Sequence, residues 1–264
     1  IDGIIHFAGV KSVLESSKNP LRYWKTNVLG TINLLDTMIK YKCKNLVFSS
    51  SATIYKQKDK CLFDEKSKLS PINPYGNTKH TVEKLLEDIF KSKNNEIKFA
   101  SLRYFNPIGA HSSGLIGENP VGTSNNIFPL IVNTAMGIQK VLKIYGNDWP
   151  TKDGTPIRDY IHVMDLAEAH IKVMDYLIKS KPLYMNLNVG TGIGTSVLEL
   201  VKTFEKVNEV KVPYVFVDRR KGDMPYVVAD NSLSISKVSL RYKKNIEDMC
   251  RDGWKWKKLN PVGY

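Results

Sequence analysis

Asn45-Leu46-Val47-Phe48-Ser49-Ser50-Ser51-Ala52-Thr53 is an apolar run that ends in small hydroxyl residues, and Tyr75-Gly76-Asn77-Thr78-Lys79 begins 24 residues after Ser51. The first stretch reads as a buried strand with a polar exit. The second opens a helix. Ser70-Pro71-Ile72-Asn73-Pro74 before it is turn-rich, and Val82, Leu85, Leu86, Ile89 and Phe90 recur at helical spacing through Gly76 to Phe90. Tyrosine is a poor base at neutral pH because its unperturbed pKa is about 10. A lysine four residues on shares its helical face and can favour the phenolate. A serine hydroxyl at a nearby strand end can hydrogen-bond an alcohol or carbonyl that is being interconverted. Such groups gather at the carboxyl ends of strands in open parallel α/β sheets. The tetrad alone is weak, since a chain with 13 Tyr and 32 Lys contains about one or two by chance. An ordinary surface Tyr–Lys pair is the alternative.

Working outward, Ile1-Asp2-Gly3-Ile4-Ile5-His6-Phe7-Ala8-Gly9 reads as a buried strand with its exit loop. A helix from about Pro20 to Tyr41 follows, then the Ser51 strand, the Tyr75 helix and a strand from Ile97 to Phe105. This alternation predicts an α/β fold, a doubly wound parallel sheet. From about Asn106 the texture changes to Pro-, Gly- and Asn-rich loops, which predicts a smaller C-terminal lobe. Gly190-Thr191-Gly192-Ile193-Gly194 lies between a strand (Met185 to Val189) and a helix (Ser196 to Val207), where a dinucleotide loop could sit. Its spacing is wrong for that fingerprint, and Asp218 at the expected distance precedes Arg219-Arg220. A structural tight turn is the expectation.

The net charge of +13 comes from scattered lysines, with short groups at Lys40-Lys42-Lys44, Lys56-Lys58-Lys60 and Lys255-Lys257-Lys258. Without a recognition motif or a basic stripe, this argues for a solvated surface rather than nucleic-acid binding. Cys43, Cys61 and Cys250 are far apart and predict free thiols in a reducing compartment. The five His lack ligand spacing, so no metal is expected, and His6 and His162 read as core histidines. No apolar run reaches membrane-spanning length. The expectation is a cytoplasmic protein with no membrane partner.

Together, Phe7-Ala8-Gly9-Val10-Lys11, Asn27, Ser49-Ser50-Ser51-Ala52-Thr53, Tyr75-x-x-x-Lys79, Arg103-Tyr-Phe-Asn-Pro-Ile-Gly-Ala-His111, Arg158-Asp-Tyr-Ile-His-Val-Met-Asp165 and Arg219-Arg-Lys-Gly-Asp223 resemble the extended short-chain dehydrogenase/reductases. Within them, the Tyr-Phe-Asn-Pro-x-Gly-Ala-His and Ser-Ser-Ser-Ala-Thr runs are similar to those of the UDP-glucose 4-epimerases. The resemblance covers essentially the whole chain, to the ending Asp252-Gly-Trp-Lys-Trp256 and Pro261-Val-Gly-Tyr264. It implies a Rossmann-like sheet entered at its fourth strand, with about 70 residues of the first mononucleotide half expected before it. Residues 1–106 would be the remaining part of the NAD-binding domain. Residues 107–264 would mainly form the nucleotide-sugar lobe, with some segments returning to the first domain.

The implied activity of the intact parent is interconversion of UDP-glucose and UDP-galactose by reversible NAD-dependent oxidation at C4, through a 4-keto sugar. By the same carry-over, Tyr75, Lys79 and Ser51 are catalytic, with Lys79 expected to lower the pKa of Tyr75. Phe7, Ala8, Gly9, Lys11, Asn27, Ser49, Tyr75, Lys79 and Tyr104 would contact NAD. Ser51, Tyr75, Phe105, Asn106, Asn126, Tyr145, Arg158, Arg220 and Asp223 would hold the UDP-hexose. The bland alternatives are an ion pair of Arg158 with neighbouring acids such as Asp159 and a solvated Arg219-Arg220 pair. Lys56 stands where relatives usually carry Gly, and Val227 falls at the position that gates the sugar's 2-substituent. A small residue there implies tolerance of UDP-N-acetylhexosamines, unless the register brings Tyr226 to the gate. A homodimer through the helices near Trp24–Met38 and Thr78–Ile89 is implied by analogy. A 4,6-dehydratase on the same scaffold is the nearest rival, but Ser50-Ser51-Ala52 occupies the region where an Asp-Glu pair would be needed. A non-catalytic NAD-binding fragment is the other.

Overall fold

The computed structural model describes residues 1–56, 62–92, 96–120, 126–220 and 222–263. Cys61, Lys58, Lys60 and Tyr264, named above, lie outside them. In chain order the elements begin with β1 (Ile4–His6), α1 (Val13–Lys18), α2 (Pro20–Tyr23), a π-helical turn (Trp24–Leu29), α3 (Gly30–Lys40) and β2 (Asn45–Ser49). A 3₁₀ turn (Ala52–Ile54), β3 (Leu62–Phe63), α4 (Pro74–Lys91), β4 (Lys98–Tyr104), β5 (Asn106–Ile108) and α5 (Ile127–Ala135) come next. Then follow β6 (Leu142–Tyr145), β7 (Ile157–His162), α6 (Val163–Lys179), β8 (Leu183–Val189) and β9 (Gly194–Ser196). The last are α7 (Val197–Asn208), β10 (Tyr214–Val217), β11 (Tyr226–Ala229), α8 (Ser232–Val238) and α9 (Ile246–Leu259).

The main sheet is parallel, in the order β1-β2-β4-β8. Its strands are apolar on both faces, as a sheet covered by helices on both sides requires. Leu46, Phe48 and Phe99 point to one side, where Leu35 and Met38 of α3 and Val82 and Leu86 of α4 cover them. Val47, Ala100 and Leu102 point to the other side, against Leu166, Ala169, Val173 and Leu177 of α6. The doubly wound expectation is therefore met, with period-2 alternation on strands meeting 3.6-period stripes on helices. Truncating a fully buried member such as Leu86 should cost about 2–5 kcal/mol.

The predicted helix from Pro20 to Tyr41 is a single rod with the π turn inside it. That wide turn carries Asn27, a side chain with work to do at the site.

A second set of strands runs β3-β11-β7-β5, with β9 antiparallel on β7, and β6 pairs with β10 separately. α5, α7 and α9 close over these strands around Phe128, Ile131, Leu142, Phe204, Met249 and Trp254. The Gly190–Gly194 loop is the expected tight turn. Gly192 takes φ +74, and the amides of Thr191 and Gly192 donate to the Asp159 carboxylate at 2.8 and 2.9 Å. A protein carboxylate thus occupies the donors that a phosphate would need. His6 and His162 are core histidines as expected. His6 bonds Thr31, and His162 Nδ1 accepts from Met164 N, which leaves Nε2–H for Asp252 at 3.2 Å.

Candidate active site

The site forms where the carboxyl ends of β1, β2 and β4 meet the start of α4. Asn73 caps α4 by accepting from Gly76 N at 2.8 Å, and Pro74 sits at the first helical position. The helix start abuts the Ser51 turn so closely that a Cβ on Gly76 would lie 3.0 Å from Thr53 O and 2.9 Å from Pro71. Glycine there lets Tyr75 reach Ser51.

Ser51 Oγ accepts from Thr53 N at 3.3 Å and from Thr53 Oγ1 at 3.0 Å. Its own proton is left for Tyr75, whose phenolate form it favours. Lys79 Nζ donates to the Ser49 carbonyl at 2.7 Å and lies 5.8 Å from the centre of the Tyr75 ring. Ser49 Oγ and Tyr104 OH share a short hydrogen bond. Tyr75, Lys79 and Ser51 are all buried.

Burial sets the protonation of this cluster. It drives Tyr75 well above the ordinary phenol range, reinforced by Tyr104 and opposed by Ser51. It brings Lys79 down to about 8, against the pull of Glu83. The expected depression of Tyr75 by Lys79 is absent from this balance, because the ammonium is turned to the Ser49 carbonyl and desolvation outweighs the Ser51 bond.

At the end of β1, Phe7, Ala8 and Gly9 form an exposed loop held from beneath by Asn27. Asn27 Oδ1 accepts from Val10 N at 2.8 Å, and its Nδ2 donates to Val10 O and Thr78 Oγ1. Phe7 is 56% exposed and rests on the His170 ring at 4.5 Å, with Tyr104 edge-on to the same ring. His170 Nδ1–H donates to Leu166 O at 2.8 Å, so Nε2 is a buried acceptor with no hydrogen-bond partner among the described residues. Lys11 is exposed and pairs with Glu118 at 3.3 Å.

The residues carried over for a nucleotide sugar lie on the second set of strands and its loops, and where these meet the main sheet. Phe105 is buried beside Tyr55, Phe63 and Ala229, Asn106 opens β5, and Asn126 is the exposed cap residue of α5. Arg158 on β7 pairs with Asp223, not with its neighbour Asp159, which is taken up by the Gly190–Gly194 turn. Arg220 stacks on Tyr145 at 4.6 Å. Arg219 pairs with Asp148 at 2.7 Å and stacks on Trp149 at 4.1 Å. The second pair is thus anchored by aromatic rings rather than simply solvated. Lys56 is exposed, has no positive φ, and donates its amide to Lys68 O at 2.7 Å, so the backbone makes no demand for glycine there.

Residues 1–190 match the NAD dependent epimerase/dehydratase family. The chain belongs to it. A UDP-glucose 4-epimerase of Arabidopsis thaliana is 48% identical over 263 residues, covering 100% of this chain and 75% of that protein. The crystal structure of UDP-glucose 4-epimerase from Stenotrophomonas maltophila, with NAD and a formylated UDP-arabinopyranose, superposes with TM-score 0.96 at 45% identity, covering 98% of this chain and 76% of that one. The Bifidobacterium longum enzyme in complex with NAD⁺ and UDP gives TM-score 0.93 at 40% identity, covering 100% and 78%.

In this epimerase/dehydratase chain, sequence reasoning missed several polar groups that hold the site. Glu83, Thr53, Tyr55 and Asn188 all anchor it. Glu83 was findable, because Tyr75, Lys79 and Glu83 recur every four residues on one helical face.

Proposed function

We propose that this chain interconverts UDP-glucose and UDP-galactose by reversible, NAD-dependent oxidation at sugar C4. The observation that carries the reading is the meeting of Ser51, Tyr75 and Lys79 at one buried point, in a chain nearly half identical to a UDP-glucose 4-epimerase.

The residues fit a dinucleotide. The exposed Phe7–Gly9 backbone, the clamp by Asn27 and the orphaned acceptor His170 Nε2 beside Phe7 and Tyr104 supply a surface, a fixed loop and an unused polar atom. Phe7, Ala8, Gly9, Lys11, Asn27, Ser49, Tyr75, Lys79 and Tyr104 would hold it. When bound, NAD supplies the reversible hydride acceptor and, oxidised, a positive charge.

In its phenolate form Tyr75 would take the proton of the sugar 4-hydroxyl and, as the phenol, return it. Ser51, its lone pairs occupied by Thr53, donates to the phenolate oxygen and so favours the deprotonated form. Lys79, poised at about 8, holds or yields a proton within the same cluster near neutral pH. Burial of all three keeps water from the exchange. Arg158 and Arg220 neutralise the substrate pyrophosphate, for which forked guanidinium donors are suited. Asp223 turns from Arg158 to the ribose, Tyr145 lies under the uracil, and Phe105, Asn106 and Asn126 position the rest.

Val227 suits the gate position. It pairs in register with Arg158 and packs with the cluster around Phe105, while the adjacent Tyr226 turns its hydroxyl towards Gly194. A valine leaves room for a bulky 2-substituent, so turnover of a UDP-N-acetylhexosamine is expected. We divide the work near residue 106, the main sheet serving NAD and the second lobe the nucleotide sugar, with α6 and β8 returning to the main sheet. A homodimer and a cytoplasmic setting complete the reading. Cys43 and Cys250 are free thiols, and no described helix is long and apolar enough to cross a membrane.

The test is the chain completed with the part of the Arabidopsis relative that it does not span. That protein, given UDP-galactose, should yield UDP-glucose with no net change in NAD. Accumulation of a dehydrated 4-keto-6-deoxy sugar would instead favour the dehydratase, a reading that Ser50-Ser51-Ala52 disfavours.

A further inference from the structure

Glu83 lies two helical steps beyond Tyr75 and one beyond Lys79, so the three side chains descend one buried face of α4. A carboxylate is rarely buried unless paired, and this one is shared three ways. It takes Arg103 Nε at 3.0 Å on Oε1 and Arg103 Nη2 at 2.6 Å on Oε2, a bidentate grip. It also accepts a short hydrogen bond from Ser50 Oγ. Ser50 sits between Ser49, whose carbonyl receives Lys79, and Ser51, which bonds Tyr75.

The network continues outward. Arg103 Nη1 donates to Tyr55 OH at 3.2 Å and to Glu65 O at 3.0 Å, and Tyr55 OH donates to Asn188 Oδ1 at 2.6 Å. Asn188 Nδ2 donates to Phe63 O at 2.6 Å, and its backbone N donates to Glu65 Oε1 at 2.7 Å. One carboxylate thereby ties the ends of β2, β4 and β8 to the helix that carries Tyr75 and Lys79.

We infer that Glu83, locked by Arg103, is a positioning residue for the proton-transfer site. Through Ser50 it fixes the Ser49 carbonyl and the Ser51 hydroxyl, and its negative charge keeps Lys79 able to carry a proton in a buried place. The inference deepens the function proposed above, but its test needs neither substrate nor turnover.

The groups that face Lys79 bear on its titration from every side. His6 comes from β1, Tyr104 reaches it through Ser49 on β2, Arg103 stands behind Glu83 on β4, and Tyr75 is on its own helix. Among them Glu83 is the negative charge that opposes the burial of Lys79. Removing it leaves desolvation unopposed and exposes Lys79 to an unpaired guanidinium.

The experiment is an NMR titration of Lys79 in lysine labelled at Cε and Nζ, with the resonance assigned by its loss in Lys79→Arg. Glu83→Gln keeps the shape and removes the charge. It should raise the acid dissociation constant of Lys79 at least tenfold, Glu83→Asp should restore most of the parent value, and Ser50→Ala, which loosens the Ser49 carbonyl but keeps the charge, should raise it by less. A folded Glu83→Gln protein with Lys79 titrating as in the parent would overturn the inference. If Glu83→Gln does not fold, the doubly neutral Glu83→Gln/Arg103→Gln protein carries the same reading, with a smaller shift in the same direction. Loss of the fold in both would assign the pair to stability alone, which also overturns it.

Discussion

Arg103 and Glu83 are 2% and 3% exposed and grip one another in a bidentate pair, whereas Arg158 and Asp223, by the second set of strands, are 13% and 26% exposed and Arg219 and Asp148 more so. The first pair cannot exchange partners without stranding a charge where water cannot reach it. The second set can, since a guanidinium that leaves Asp223 for a phosphate oxygen trades one charged partner for another near solvent. Stacking of Arg220 on Tyr145 and of Arg219 on Trp149 keeps those planes oriented while their edges remain available. Under the proposed function a proton-transfer site needs fixed distances and a substrate clamp needs replaceable contacts, and the two kinds of burial suit these separately.

The sharpest way to break this contrast is to strand the buried carboxylate. Arg103→Met leaves Glu83 charged and unpaired and should cost about 3–5 kcal/mol of stability, read from urea unfolding. A cost under about 1 kcal/mol would place the pair with the surface ones.

Next in size is Lys79→Met. Lys79 falls from 10.5 to about 8 in the folded chain, so the unfolded chain holds the extra proton and stability rises as pH climbs from about 8 to 10.5. Below pH 8 the parent carries the whole penalty. The methionine variant should therefore be more stable at pH 7 by up to about 3 kcal/mol, with the gap closing by pH 10.5. Thermal unfolding at several pH values checks the sign.

In the clamp, Arg220→Ala should leave the melting temperature nearly unchanged and raise KM for a UDP-hexose about tenfold, the loss of one charge-assisted contact. Smallest of all, Arg219→Ala removes an exposed pair and a cation–π contact, and should cost under about 1 kcal/mol in either stability or binding.

Much of the main sheet was legible because its patterns were clean. The short apolar runs of β2 and β4 and the helical stripe Val82, Leu86 and Phe90 left little choice. The Gly190–Gly194 turn could be set aside on spacing alone, although its partner Asp159 could not be named. Other features left no local trace. The π turn at Trp24–Leu29 leaves the apolar pattern of its helix intact, so the inward turn of Asn27 was invisible as geometry. Glu83 shares a helical face with Tyr75 and Lys79, but its partner Arg103, on a strand 20 residues on, could not be named. Arg158 had an acid beside it in sequence and found another 65 residues away. Long-range pairing of charges is decided by the sheet's topology, and no local pattern encodes it. Nor did the Tyr-x-x-x-Lys spacing reveal that Lys79 turns to the Ser49 carbonyl while burial holds Tyr75 high.

The most direct test sets one residue from each region in the same assay of UDP-galactose conversion, using the completed protein. Tyr75→Phe should lower kcat by about 10²–10⁴ with KM little changed, and Arg220→Ala should raise KM with kcat largely kept. A Tyr75→Phe protein that retains parental kcat would contradict the account, because the proton would then pass through another group.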